Sequence, residues 1–251
     1  MFDAVVLAGS GKPDPLTINE GVTNKAFIEI NDRFLLTYVL DALGSSSSID
    51  QITVVGPEKE LTDLRNSGYN INVVPERGSM LDNLAAGFGA VDQNRLCLVV
   101  TADIPLIRAE VIERFLELCS PYDHEFYYPV LTRELCLEKF PQTERTYVRL
   151  KEGHLTGGNI SLFNPRWFLD NRERLEMFIS FRKKPLKLMR IFPPFFIIKY
   201  LFKILSVNDA ELFLSRHFSI KASAVFSDSV EIGIDVDKIC DLELVKSILE
   251  K

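Results

Sequence analysis

Three stretches of this chain hold residue types that suit phosphate chemistry. The first, Leu7-Ala8-Gly9-Ser10-Gly11-Lys12, follows directly on an apolar run. A glycine-rich turn there bares backbone N–H groups that can cradle phosphate oxygens without side-chain bulk. Two stricter patterns fail: Asp14 replaces the third glycine of G-x-G-x-x-G, and no Gly-Lys-Ser/Thr ends the loop. Pro13 and Pro15 argue against a helix starting at once, and a plain tight turn is an equal reading. The second stretch is Val99-Val100-Thr101-Ala102-Asp103-Ile104-Pro105-Leu106. Its carboxylate ends a buried strand, where ligands of open α/β sheets gather. Asp103 there suits Mg²⁺ carried by a nucleotide, or else caps a helix starting near Ile107. The third is Gly233-Ile234-Asp235-Val236-Asp237. Carboxylates at i and i+2 of an extended chain face the same way and can reach one cation. Asp237 has a competing use as the cap of the last helix.

These stretches need a scaffold, and the hydrophobic pattern supplies one. Near-continuous apolar runs predict strands over Phe2–Ala8, Gln51–Gly56, Asn70–Pro75 and Leu96–Ala102. Helical periodicity falls between them, at Phe34–Leu43, Glu58–Asn66, Met80–Val91 and Glu110–Cys119. This alternation is the signature of an α/β layered fold. After Pro121, strands are expected over Phe126–Leu131, His154–Asn164 and Ile220–Phe226. Helices are expected over Arg166–Phe181, part of Pro185–Leu205, Asp209–His217 and Lys238–Glu250. With no internal repeat or long linker, residues 1–251 read as one domain with a helical insertion at about 165–218.

A net charge of −6 argues against a nucleic-acid partner, which needs clustered Lys and Arg. The exception is 182–208, with seven basic residues (Arg182, Lys183, Lys184, Lys187, Arg190, Lys199, Lys203) and no acidic one. Pro193-Pro194 breaks any helix there, and Lys199 and Lys203 then share a face of a second, amphipathic helix. Its apolar arc suits three partners: the protein body, a second subunit of a homodimer, or an anionic membrane surface. A lipid-linked acceptor whose phosphates meet Arg182, Lys183 and Lys184 is an intermediate reading. Cys97, Cys119, Cys136 and Cys240 lack the close pairing of a zinc site and read as free thiols of a reducing cytoplasm. The first residues lack the basic and long apolar regions of a signal peptide, and no stretch is long enough to span a bilayer. His124, His154 and His217 show no spacing that suggests a site.

Taken in order, the strand ending in Leu-Ala-Gly, Asn24-Lys25-Ala26, Ala102-Asp103-Ile104-Pro105-Leu106 and the late Asp235-Val236-Asp237 resemble the MobA-like nucleotidyltransferase family. That family lies in the GT-A-type superfamily, and the resemblance covers residues 1–164 and 228–250. It implies a three-layer, Rossmann-like, mostly parallel sheet and Mg²⁺-dependent transfer of a nucleotide from an NTP to a phosphorylated or hydroxylated acceptor. It further implies that Leu7, Ala8 and Gly9 line the base and phosphate site, with Gly11 and Lys12 near the triphosphate. Lys25 would neutralise phosphate charge. Arg77, Gly78 and Ser79 would lie in a base-contacting loop before a helix carrying Asn83 and Gly87. Gly158 and Asn159 would bind the acceptor, and Asp103 would hold Mg²⁺ with Asp235 or Asp237. The chain departs from the family where Ser10 replaces a second glycine and where no arginine precedes Arg33. Lys12 would have to replace that arginine as a point charge. Two alternatives follow: a GT-A glycosyltransferase using a nucleotide sugar, and a non-catalytic module that binds nucleotide or membrane.

Overall fold

The structure, a computed structural model, describes residues 1–11, 13–181 and 192–250. Lys12 and the basic run from Arg182 to Arg190 therefore lie outside the described residues. The sheet is built around β1 (Phe2–Leu7). It pairs in parallel with β4 (Ile49–Gly56) on one side and β6 (Cys97–Thr101) on the other, and β5 (Asn72–Pro75) extends the β4 edge. Between β1 and β4 lies a small hairpin of β2 (Glu29–Ile30) and β3 (Arg33–Phe34). Beyond β6 the sheet turns mixed. Antiparallel β10 (Ile160–Phe163) bridges β6 and β7 (Phe126–Thr132). β7 also carries β9 (Gly153–Gly157), which pairs with β8 (Val148–Leu150), and parallel β11 (Ala222–Phe226). Among the described residues this makes one nine-stranded sheet.

The apolar runs are continuous because helices cover both faces. Successive residues of a strand point to opposite sides, so Ala4 and Val6 of β1 join one buried cluster and Val5 joins another. β6 divides the same way, Leu98 and Val100 against Cys97 and Val99. On the first face lie α2 (Leu35–Ser45) and α5 (Ala109–Leu118), through Leu36, Val39, Ile112 and Phe115. On the second face lie α4 (Met80–Phe88) and α7 (Pro165–Phe181), where Phe88 and Phe168 meet edge to face at 5.2 Å. Asp82 of α4 pairs with Arg172 of α7 and locks that layer. Among the described residues the remaining α-helices are α1 (Pro15–Asn19), α3 (Glu58–Asn66), α6 (Arg133–Lys139), α8 (Pro194–Leu201), α9 (Val207–Phe218) and α10 (Ile239–Leu249).

Four expectations need correction. Pro13 and Pro15 do not prevent a helix: α1 starts with Pro15 at its first position, where a missing N–H costs nothing, and Asp14 caps it. The strand expected over His154–Asn164 is two strands. The break comes where Gly158 N–H donates to Pro129 and Asn159 N–H donates to Ile232, outside the ladder. α6 and β8 were not foreseen, being short segments of mixed polarity. Lys199 and Lys203 do not share a helix face, because α8 ends at Leu201 and Lys203 has φ of 60°.

Candidate active site

The Leu7–Gly11 loop leaves the sheet between β4 and β6. Ala8 N–H donates to Val55 at 2.8 Å and Leu7 accepts from Ala102 N–H at 3.2 Å. At Gly9 a Cβ would lie 2.3 Å from Asn83 Nδ2, so only glycine lets the loop pass. Buried Asn83 accepts in turn from Arg77 N–H and ties the 76–79 loop to this turn. Ser10 gives both its N–H and its hydroxyl to the Glu76 carboxylate, the hydroxyl at 2.9 Å. Arg77, Gly78 and Ser79 are exposed beside it, with Ser79 capping α4.

Lys25 is placed by its neighbour. Buried Asn24 donates to Ala8 C=O at 2.8 Å and accepts from Ala26 N–H at 2.9 Å, starting a single 3₁₀ turn over Lys25–Phe27. The Lys25 ammonium thereby stands 2.7 Å from Asp237 and 3.1 Å from Asp14. Burial works against its charge, yet hydrogen bonds to Asp237 and Asp14 leave its pKa above the usual lysine value. The Asp14 pKa is lowered, chiefly by Thr17 N–H and then by Lys25.

Asp103 lies just past the end of β6 and caps nothing: α5 begins at Ala109, with Arg108 as its N-cap. Its Oδ1 is buried without a hydrogen-bond partner. Burial pushes its carboxyl up to about 6 against the Thr101 hydroxyl, which pulls it down, and the charges of Asp235 and Asp237 push with burial. The chain carrying those two is pinned alongside, because Val236 N–H donates to Asp103 C=O at 2.9 Å. Asp235 is also raised, by burial first and Asp237 second, with Arg145 and Asn159 pulling against them. Asp237 is not the cap of α10: Lys238 holds that position, its N–H donating to Asp241 at 2.8 Å.

Leu7, Gly9, Gly11, Asn24, Lys25 and Asp103 thus line one cavity of about 290 Å³. A second, of about 280 Å³, holds Arg145, Thr156, Asp235 and Asp237. Asn159 faces this cavity's Asp235, whose pKa its side chain lowers, while its N–H donates to Ile232 and its C=O accepts from Thr101 N–H. Among the described residues, no group of three His, Cys, Asp or Glu side chains converges as a ready metal set. Sequence reasoning missed the anchoring roles of Asp14, Asn24, Glu76 and Arg145. Asp14 was findable, since Asp-Pro-x-Thr is a helix-start signature. Arg145 carried no signal at all.

A mixed sheet of this order, flanked by helices and carrying its polar cavity at the carboxyl ends of β1 and β6, is that of nucleotidyltransferases of the GT-A-like fold. The chain belongs to the MobA-like NTP transferase domain family, which matches residues 4–173. It is similar to a hypothetical transferase from Thermus thermophilus, with 29% identity, a TM-score of 0.84, and coverage of 96% of this chain and 100% of that one. A CMP:2-keto-3-deoxy-manno-octonic acid synthetase complexed with CTP shares the fold, with a TM-score of 0.65 at 14% identity over 100% and 99% of the two chains. Among curated proteins, the 2-C-methyl-D-erythritol 4-phosphate cytidylyltransferase of Clostridium botulinum is 28% identical over 126 residues. That match takes in 47% of this chain and 52% of the cytidylyltransferase, so the chain spans about half the length of the curated relatives it matches.

Proposed function

We propose that this protein transfers an NMP group from an NTP, CTP first among them, to a phosphorylated or hydroxylated acceptor and releases pyrophosphate. One observation carries the reading. An unpartnered buried carboxylate oxygen of Asp103 and a doubly held Lys25 line one polar cavity at the carboxyl ends of the strands. The cytidylyltransferase name of the curated relatives supports CTP.

In the reaction an acceptor oxygen forms a bond to the α-phosphorus. The bond from that phosphorus to the β-bridging oxygen breaks, and its electron pair leaves with pyrophosphate. A phosphate acceptor is largely dianionic near neutral pH, with a second pKa of about 6, and needs no general base. The chain therefore supplies position and charge. Loop amides around Gly9 and Gly11 hold phosphate oxygens. Lys25 offsets the charge that builds on the leaving group, with Lys12 as its partner. The orphan oxygen of Asp103 and the half-buried Asp235 fit Mg²⁺, which favours one or two carboxylates plus phosphates. Bound there, it would neutralise phosphate charge and orient the triphosphate.

The test is thermal stabilisation by CTP, GTP, ATP and UTP, with and without Mg²⁺, followed by detection of the leaving product. Stabilisation of about 2.7 kcal/mol is expected at a hundredfold excess over Kd. Pyrophosphate is the expected product. Release of a nucleoside diphosphate from a nucleotide sugar would favour the glycosyltransferase, and Mg²⁺-dependent binding without turnover on a broad acceptor panel the non-catalytic module.

A peripheral contact with the cytoplasmic membrane surface is a second element of the proposal. No helix among the described residues is long and apolar enough to cross a bilayer. However, α8 and the residue after it leave Phe195, Ile198, Leu201 and Phe202 at 50%, 52%, 70% and 72% exposure. Phe196 meanwhile faces Phe213 of α9 at 5.3 Å, and Lys199 is held 2.6 Å from Asp209. Sedimentation with anionic but not neutral liposomes is expected, and is expected to fall when Leu201 and Phe202 are changed to serine. A stable dimer that does not bind liposomes would assign the patch to a second subunit instead.

A further inference from the structure

Behind the acceptor side of the site runs a groove of about 350 Å³, between β7, β8, β9 and β11 below and α9 above. Its walls are apolar: Val130, Val148, Leu150, Leu155, Leu214 and Ala224. Glu211 also lines it, but its carboxylate already accepts from Ala224 N–H at 2.7 Å. Val130 and Leu155 are buried in the floor, while Val148 on the rim is 47% exposed, so the groove is open to a ligand.

Two side chains, Thr146 and Thr156, line both this groove and the cavity that holds Asp235 and Arg145. The two spaces therefore share a wall. At the junction, Tyr128 lies across Gly157, where a Cβ would come within 1.9 Å of the phenol oxygen. Arg145 reaches the same place, donating to Gly157 C=O at 3.2 Å while its Nε has no partner. The cavity that holds Arg145 and Lys238 among the carboxylates Glu144, Asp235, Asp237 and Asp241 thus continues into a mainly apolar groove.

We propose that the acceptor is an amphiphile, its phosphate or hydroxyl oxygen accepting from the unpartnered Nε of Arg145 and its alkyl or isoprenoid tail in the groove beneath α9. The proposal rests on the nucleotidyltransferase reading for what happens at the head, and on the groove alone for the tail. An apolar tail is favoured because each methylene moved from water into such walls strengthens binding about fourfold. A short polar acceptor would leave the groove to water.

The test uses the full chain and a series of n-alkyl monophosphates, from butyl to dodecyl, each below its micelle-forming concentration. Affinity is expected to rise about fourfold per methylene and then level off once the groove is full. Ala210→Phe, which fills the groove from α9, should bring the plateau to shorter chains. Val148→Asp, at a half-exposed position where folding is not at risk, should flatten the rise. Stabilisation by NTP is measured on the same samples and should be unchanged in both variants. Affinity independent of chain length, absence of binding, or a rise that survives both substitutions would overturn the proposal. Loss of NTP stabilisation in the unmodified protein would instead strike the nucleotidyltransferase reading, leaving the tail series to be judged by itself.

Discussion

Replacing Asp103 by asparagine is expected to make the free protein more stable and at the same time to abolish its Mg²⁺-dependent stabilisation by nucleotide. The first half follows from the carboxyl being pushed up to about 6 by burial, against 3.8 in the unfolded chain. At neutral pH the folded state carries a charge it would rather not carry, next to Asp235 and Asp237. Because the folded carboxyl binds its proton more tightly than the unfolded one, this penalty is fully present above pH 6, fades as pH falls through 6 towards 4, and is absent below about 4. An isosteric amide removes it. A gain of about 2 kcal/mol is expected at pH 7 after the cost of burying the amide, or roughly 4–8 °C in Tm for a domain of this size. The gap between the variant and the natural protein should close on acidification through the window from pH 6 to pH 4. The second half follows because asparagine cannot neutralise a cation. Denaturation curves at pH 7 and pH 4, with and without Mg²⁺ and nucleotide, measure both. A variant that melts lower at pH 7 would mean that the carboxylate already has a compensating partner in the free protein, and Asp103 would lose its assignment as a waiting ligand.

The second large effect belongs to Lys25. Methionine keeps the apolar stem but removes the ammonium that stands 2.7 Å from Asp237 and 3.1 Å from Asp14. Charge-assisted hydrogen bonds contribute about 1.5–3 kcal/mol, so Lys25→Met is expected to weaken NTP binding by roughly 10- to 150-fold. NMP binding should change far less, since the lost partner is the outer phosphates. Once an acceptor is supplied, kcat should fall by about 10²–10³, the usual cost of losing one charge-stabilising donor. Stability should change little, because both carboxylates remain partly open to water. Lys25→Arg should recover part of the NTP preference, as it keeps the charge. Equal losses for NTP and NMP, with a drop in Tm, would recast Lys25 as a strut that holds Asp14 and Asp237 in place.

Much of the candidate site was legible because local chemistry placed it. Apolar runs that fill both faces of a sheet read as buried strands, and Gly9 and Asp103 each stand just beyond the end of one. The order of Leu-Ala-Gly, Lys25, Asp103 and Asp235-Val236-Asp237 along the chain was enough to suggest the family that the chain belongs to. Other features were ambiguous for a local reason. An Asp near a helix start can cap it or face a ligand, and only the true N-caps, Arg108 and Lys238, released Asp103 and Asp237 from that role.

What the sequence by itself determined is therefore the alternation of strands and helices, the loop chemistry at the strand ends and the inventory of charges. These depend on interactions between residues a few positions apart. The tertiary structure alone decided which charges meet. Lys25 finds Asp237 across 212 residues, and the late aspartates are hung beside Asp103 by a single backbone hydrogen bond from Val236. It decided too that Arg145, with no signal of its own, would stand between the cavity of Asp235 and Asp237 and an apolar groove. Such meetings depend on how β7, β9 and β11 are set beside β6, and no residue's neighbours along the chain contain that information.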